Sequence, residues 1–133
     1  MTAPTTSPAP GSDALALAGR VLLAAIFILA GANKATDPAG TIGYIQSVGL
    51  PLPEVAYGAT VAVELIAGLA LIAGYRTRIA ALALAGFCLV SAAIFHNQLG
   101  DQTQFVMFFK NLAMAGGLLF VAAFGPGRYA LGR

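Results

Sequence analysis

The chain has 133 residues, of which 59% are hydrophobic and 9% charged, and its mean hydropathy is +0.84. This composition does not supply the polar surface of a soluble protein, and a net charge of +2 is too small and too scattered to indicate a nucleic-acid partner. Cys88 is the only cysteine, which excludes an internal disulfide, a CxxC redox pair and a thiolate metal cluster.

The chain begins with MTAPTTSPAPGSD, a segment rich in Pro, Thr, Ser and Ala without the apolar core of a secretory signal. We expect residues 1–13 to form a disordered cytoplasmic tail. Ser12 or Asp13 is expected to cap the first helix. The transmembrane domain is expected to cover residues 14–129, with a C-terminal tail at 130–133.

Four apolar runs come after this segment, and each is close to the ~20 residues that cross a bilayer. They occupy residues 14–32, 55–73, 79–95 and 105–124. Only residues 74–78 separate the second run from the third, so these two helices must be antiparallel neighbours. The sequence therefore predicts an all-α integral membrane protein, a four-helix bundle.

The connection between the first two runs contains helix signals of its own. Asp37 is a suitable N-cap, Pro38 suits a first helical position, and Gly49 can adopt the left-handed conformation that ends a helix. These signals predict a short helix over 38–48. Its apolar side chains recur at helical spacing, which favours a helix lying in the membrane interface of the first outer loop.

Basic residues predict the orientation of the bundle. Arg76, Arg78 and Arg128 fall on the side that both termini share, with Arg20 near the same end. The loops of the other side contain Lys34 as their only Lys or Arg. Because basic loop residues concentrate on the cytoplasmic side, we expect an N-in/C-in topology, with Arg20, Arg76 and Arg78 as topology anchors.

Glu64 lies in the middle of the second run, where a carboxylate costs about 3 kcal/mol on insertion scales. A rise of about 1.5 Å per residue places it roughly 15 Å below the outer end of its helix. Other polar side chains lie in the same outer half of the bundle: Lys34, Tyr57, His96, Lys110 and Asn111. We predict that they form an inward-facing ligand or proton site with Glu64. Lys110 is the expected partner of Glu64, and Lys34 is the alternative.

Three of these residues also have a purely structural interpretation. Glu64 can act as an ion-pair partner that holds helices together, and His96 can be a solvated residue at a helix end. Lys110 can extend outward so that its ammonium group reaches the interface.

Short motifs occur in a characteristic order along the chain. Arg20 opens the first run and GANK ends it; GLPLP precedes the second run, which contains ELIAG and is followed by GYRTR. His96 ends the third run, Lys110 lies near the start of the fourth, and GPG comes after it. This order resembles the DoxX family of small bacterial membrane proteins over about residues 14–129. The ending RYALGR departs from the Ser-Leu-Asp type of sequence that is familiar after GPG.

The resemblance implies a four-helix protein of the bacterial cytoplasmic (inner) membrane that is associated with redox systems. Family members act with quinones or as membrane partners of thiol and superoxide-defence enzymes. A quinone is therefore the candidate cofactor, and the sequence itself encodes no evident haem, iron–sulfur or metal site. The expected partners are the lipid bilayer, a redox or thiol-defence protein and further copies of the chain.

Two functions of different classes stay open. In the first, a redox-associated subunit holds a quinone-like ligand, with His96 and Lys110 bonding its oxygens and Glu64 handling a proton. In the second, the chain is a non-catalytic scaffold or assembly partner whose polar residues only organise the bundle. A small-molecule transporter ranks third, because four short helices need to oligomerise to form a path. Enzymatic activity is left open.

Overall fold

The computed structural model describes residues 8–132, and this part of the chain forms five helices and no strands. The short helix α2 lies between the first and second of four helices that are long and apolar enough to cross a membrane. The five are α1 (Ser12–Thr36), α2 (Pro38–Ser47), α3 (Pro53–Ala73), α4 (Thr77–Phe95) and α5 (Gln102–Phe124). The predicted all-α membrane four-helix bundle is confirmed.

Helix α1 begins two residues before the predicted span. Its N-cap is Gly11, whose φ of 76° is left-handed, and no side chain caps the helix, so the capping role expected of Ser12 or Asp13 is wrong. Asp13 instead accepts a hydrogen bond from the backbone N–H of Arg128 at 3.0 Å. The predicted disordered tail falls largely on residues 1–7, which lie outside the described residues.

Helix α2 is built by the local signals that predict it. The Asp37 carboxylate accepts a hydrogen bond from the backbone N–H of Gly40 at 3.1 Å, and Pro38 occupies the first turn. Gly49 comes after the helix with a left-handed φ of 82°. The helix ends at Ser47, one residue before the predicted end. Its position in the membrane interface stays a prediction.

The helices pack as two closely associated pairs. Helices α4 and α5 contact each other along their length, and α1 packs against α3. The core between them is built from side chains with little or no exposed surface: Ala24, Phe27, Leu71, Leu84, Cys88 and Leu118. Cys88 is completely buried.

Arg20 is buried inside the bundle, and only 1% of its surface is exposed. Its guanidinium donates to the carbonyl oxygens of Leu71 at 3.0 Å and Ile72 at 3.1 Å, and also to that of Tyr129. The first two carbonyls belong to the last turn of α3, whose carbonyl groups have no hydrogen-bond partner within the helix. The side chain therefore ties α1 to the end of α3 and to the C-terminal segment, and its role as a topology anchor stays a prediction.

The C-terminal residues are bonded to the turn between α3 and α4. The N–H groups of Leu131 and Gly132 donate to the carbonyls of Ala73 and Gly74 at 3.0 and 3.1 Å. The N–H of Arg76 donates in return to the carbonyl of Gly132 at 2.9 Å. The described part of the segment predicted as a tail thus joins the end of α5 to the turn between α3 and α4, at the end of the bundle opposite α2.

Candidate functional site

A single π-helical turn interrupts α3 in the middle of the predicted membrane span. Regular α-helix over Pro53–Ala62 gives way to π-helix over Val63–Ala67 and resumes at Gly68–Ala73. A π turn inserts one extra residue into a helix and is frequently found at functional sites. Glu64 lies within this turn, and only 3% of it is exposed.

Two glycines allow α1 to approach this turn closely. A Cβ atom on Gly31 would lie 2.9 Å from Leu65 Cγ and 3.1 Å from Glu64 Cβ. One on Gly68 would lie 3.0 Å from Ile28 Cγ1. Because both spacings are too short for ordinary packing, larger residues at either position would push the two helices apart.

Lys34 lies one turn beyond Gly31 and is the partner of Glu64. Its Nζ donates to Glu64 Oε1 at 2.6 Å, and 32% of the Lys34 side chain is exposed. Tyr57 Oη donates to the backbone carbonyl of Lys34 at 2.8 Å, which adds a second link between α1 and α3. The buried carboxylate is therefore compensated by a short, charge-assisted hydrogen bond.

The prediction that Lys110 pairs with Glu64 is wrong. Helix α5, which carries Lys110, packs on α4 and touches α1, but it does not contact α3 in the described residues. Depth along the membrane normal does not exclude Lys110 as the partner of Glu64. The helix that packs against α3, however, is α1 rather than α5. Lys110 is exposed, and the described part of the chain provides no ion-pair partner for it.

A cavity of about 410 Å³ opens beside the ion pair, at the end of the bundle that α2 covers. Five of the six predicted site residues line it: Lys34, Glu64, His96, Lys110 and Asn111. Tyr57 does not line the cavity and reaches the site only through its bond to Lys34. Most of the remaining wall is apolar and includes Phe27, Ile45, Phe87, Phe95, Met107 and Met114.

The polar groups on the far wall retain unused hydrogen-bonding capacity. His96 is the C-cap of α4, and its Nδ1 lies 3.3 Å from Gln104 Oε1. The Asn111 amide nitrogen donates to the carbonyl of Met107 at 2.9 Å and keeps a second N–H. Lys110 contributes an ammonium group with three donors. The cavity thus presents several donors across an apolar space.

No metal site is formed by the described residues, since no three His, Cys, Asp or Glu side chains come together there. The cavity contains a single histidine and a single carboxylate, and that carboxylate is already bonded to Lys34. Its donor set suits a ligand with oxygen acceptors and an apolar body better than a cation.

Comparison with known proteins shows the family. Residues 15–97 match the DoxX family model, which is more than half of the chain. The chain belongs to the DoxX family. This DoxX protein is 40% identical to inner membrane protein YqjF of Escherichia coli (strain K12) over 124 residues, 91% of this chain and 92% of YqjF. It is 33% identical to inner membrane protein YphA of the same strain over 124 residues, 90% of this chain and 89% of YphA. No solved structure gives a significant match.

The comparisons and the four apolar helices together make this DoxX protein a multi-pass protein of the bacterial inner membrane. Its motif residues divide between the two ends of the bundle. Lys34 of GANK and Glu64 of ELIAG meet at the cavity, whereas Arg20 and the GYRTR turn lie at the other end.

The sequence does not reveal how α2 contributes to the cavity of this DoxX protein. Thr41, Tyr44 and Ile45 of α2 line it, and Ile45 is buried. The Tyr44 ring stacks on Phe95 at the end of α4, with the ring centroids 5.4 Å apart. The helical spacing of apolar residues in α2 signals one apolar face, but it does not identify α4 as the surface that this face contacts.

Proposed function

We propose that this DoxX protein is a redox-associated membrane subunit that binds a quinone-like ligand in the cavity. The observation that carries the proposal is the juxtaposition of the Lys34–Glu64 ion pair with His96 and Lys110 across a largely apolar space. A quinone has a flat apolar ring and two carbonyl oxygens at its opposite edges. Such a molecule needs donors at two sides of an apolar cavity, and this arrangement supplies them.

In this proposal each polar group has a defined task. Lys110 donates to one carbonyl oxygen of the ring, and the apolar wall excludes water from its faces. His96 donates to the same oxygen through Nε2–H in the tautomer whose Nδ1 accepts a hydrogen bond from the Gln104 side-chain amide. Lys34 can donate to the opposite oxygen while it stays bonded to Glu64, since an ammonium group has three donors. Glu64 then holds or accepts a proton at its carboxylate. The electrons would come from a redox protein partner, so this chain binds and orients the ligand.

A second candidate function is that of a non-catalytic scaffold. It is supported by the fact that Glu64 is already bonded to Lys34, and that Tyr57 links the same two helices. In that case the cluster only fixes the packing of α1 on α3, and the function lies in contacts with partner proteins.

The quinone content of His96 variants distinguishes the two functions. The protein would be extracted from bacterial membranes in a mild detergent, and the quinone that co-purifies would be quantified by mass spectrometry. His96→Ala should lose at least about half of the bound quinone because one donor is removed, with the yield of folded protein unchanged. Asn97→Ala is the matched control, since Asn97 is the next residue, is exposed, and its side chain bonds within residues 8–132 only to the carbonyl of Ala93.

The scaffold function predicts a different result. The parent protein would then carry no more quinone than an unrelated membrane protein purified from the same membranes. Equal quinone content in the parent and in His96→Ala would likewise remove His96 from the proposed site.

A further inference from the structure

A second pocket lies at the end of the bundle opposite the cavity. It has a volume of about 400 Å³ and is lined by Tyr75, Arg76, Arg78, Ile79 and Gly132. These residues come from the turn between α3 and α4, the first turn of α4 and the C-terminal segment. Nothing in the proposed quinone function uses this pocket.

The backbone of the pocket is held in place by hydrogen bonds. Arg76 has a left-handed φ of 45°, an uncommon conformation for a residue with a side chain. Its N–H donates to the carbonyl of Gly132 at 2.9 Å, and the N–H of Gly132 donates to the carbonyl of Gly74 at 3.1 Å. The C-terminal segment therefore fixes the direction in which the Arg76 side chain leaves the turn.

The pocket carries positive charge that the described residues do not neutralise. No carboxylate in residues 8–132 forms an ion pair with Arg76 or Arg78. Asp13, at the same end of the bundle, bonds instead to the backbone N–H of Arg128. The Tyr75 ring packs near the Arg76 guanidinium, 5.8 Å from Cζ to the ring centroid, and adds no negative charge. Two guanidinium groups therefore face an open pocket.

The surroundings of the pocket are those of a membrane interface. Tyr and Arg side chains are typical of the level at which headgroups meet acyl chains. Ile79 is the next residue after Arg78 and is 63% exposed, and Leu82, one helical turn further along α4, is 54% exposed. An apolar track thus leads from the arginines along the lipid-facing side of α4. A soluble anion would use the arginines but leave this track without a partner.

We infer that the Arg76–Arg78 pocket binds the phosphate group of an anionic phospholipid whose acyl chains lie along Ile79 and Leu82. Guanidinium groups bind phosphate oxygens in a bidentate manner, and basic pockets at the cytoplasmic ends of membrane helices bind lipid headgroups. The bound lipid would contact both the turn between α3 and α4 and the C-terminal segment, which backbone hydrogen bonds already join.

Native mass spectrometry of the full-length protein in mild detergent tests this inference. Phosphatidylglycerol should bind at least about tenfold more tightly than phosphatidylcholine with the same acyl chains. The double variant Arg76→Gln/Arg78→Gln should lose about tenfold in affinity for phosphatidylglycerol. Arg128→Gln is the control for charge, and the matched control for Arg78→Gln alone, because it removes one positive charge from the same end outside the pocket; it should change the affinity less than about twofold.

Three results would overturn the inference. Unchanged lipid binding by the double variant would show that the pocket is not the site. An equal loss in Arg128→Gln would show that the net charge of this end, rather than the pocket, attracts the lipid. Displacement of the lipid by excess inorganic phosphate would assign the site to a soluble anion. If the double variant does not fold, Arg78→Gln alone carries the test, since Arg78 lies outside the left-handed turn.

Discussion

At the scale of single residues, the buried carboxylate of Glu64 depends on one partner. Lys34 Nζ lies 2.6 Å from Glu64 Oε1, and the carboxylate has almost no access to solvent, whereas about a third of the Lys34 side chain is exposed. Removing Lys34 should therefore change the free energy of unfolding by a different amount from removing Glu64. Without Lys34, Glu64 would be left charged and buried, but without Glu64, Lys34 could turn its ammonium group toward the interface.

A double-mutant cycle measures this asymmetry. Lys34→Met should lower the free energy of unfolding by about 3 kcal/mol, and Glu64→Gln should lower it by less. The double variant should lose clearly less than the sum of the two, because neither charge is left uncompensated. The measurement is denaturant unfolding in mixed micelles.

Lys110→Met is the control for this cycle. It removes a lysine near the same end of the bundle that has no ion-pair partner in the described residues, so the free energy of unfolding should change little. The assignment of Lys34 as the partner of Glu64 would be contradicted if Lys34→Met and Glu64→Gln lowered the free energy of unfolding in a strictly additive way. It would also be contradicted if Lys110→Met lowered it as much as Lys34→Met does.

At the scale of the helices, the sequence predicts what local signals determine. The four spans can be predicted from hydropathy, and α2 from Asp37, Pro38 and Gly49, which act within a few residues of their own positions. The observed helices begin two or three residues before the predicted spans because polar residues such as Gln102 and Thr77 form the first turns.

Other features depend on which helices are neighbours, and local signals do not determine this. The π turn at Val63–Ala67 lies where α1 packs against α3, and the sequence of the turn contains no Pro or Gly that marks it. Lys34 and Lys110 both lie near the outer end of the predicted bundle, so depth does not decide between them. The bonds from Arg20 to Leu71 and Tyr129 join residues far apart in the chain, and their proximity arises only in the assembled fold.

At the scale of the whole molecule, the two ends of the bundle differ in construction. One end is closed by Arg20 and by the C-terminal segment, which satisfy the carbonyl groups at the end of α3. The other end contains the cavity, the ion pair and α2. Hydrogen-bonded closure at one end and a largely apolar cavity with a few polar groups at the other suit the proposed binding of a ligand near one membrane surface.

The predicted N-in/C-in topology would place that surface on the outer side of the membrane. In a Cys88→Ser background, cysteines at Gln46 and Gly100 should react with an impermeant thiol reagent added to intact cells, since both positions are exposed. A cysteine at Arg128, also exposed, should react only after the membrane is permeabilised. The reverse pattern would place the cavity on the cytoplasmic side and the Arg76–Arg78 pocket on the outside.

Filling the cavity tests the central claim, that it is the quinone site, most directly. Ser91 of α4 lines the cavity, and Ala83 lies on an exposed face of the same helix, so Ser91→Phe and Ala83→Phe place the same ring inside and outside it. Quinone bound per chain would be measured by mass spectrometry for the parent and for both folded variants. We expect about one quinone per chain in the parent and in Ala83→Phe, and almost none in Ser91→Phe, because the added ring occupies the space of the ligand. Quinone retained by Ser91→Phe, or absent from the parent, would contradict the claim.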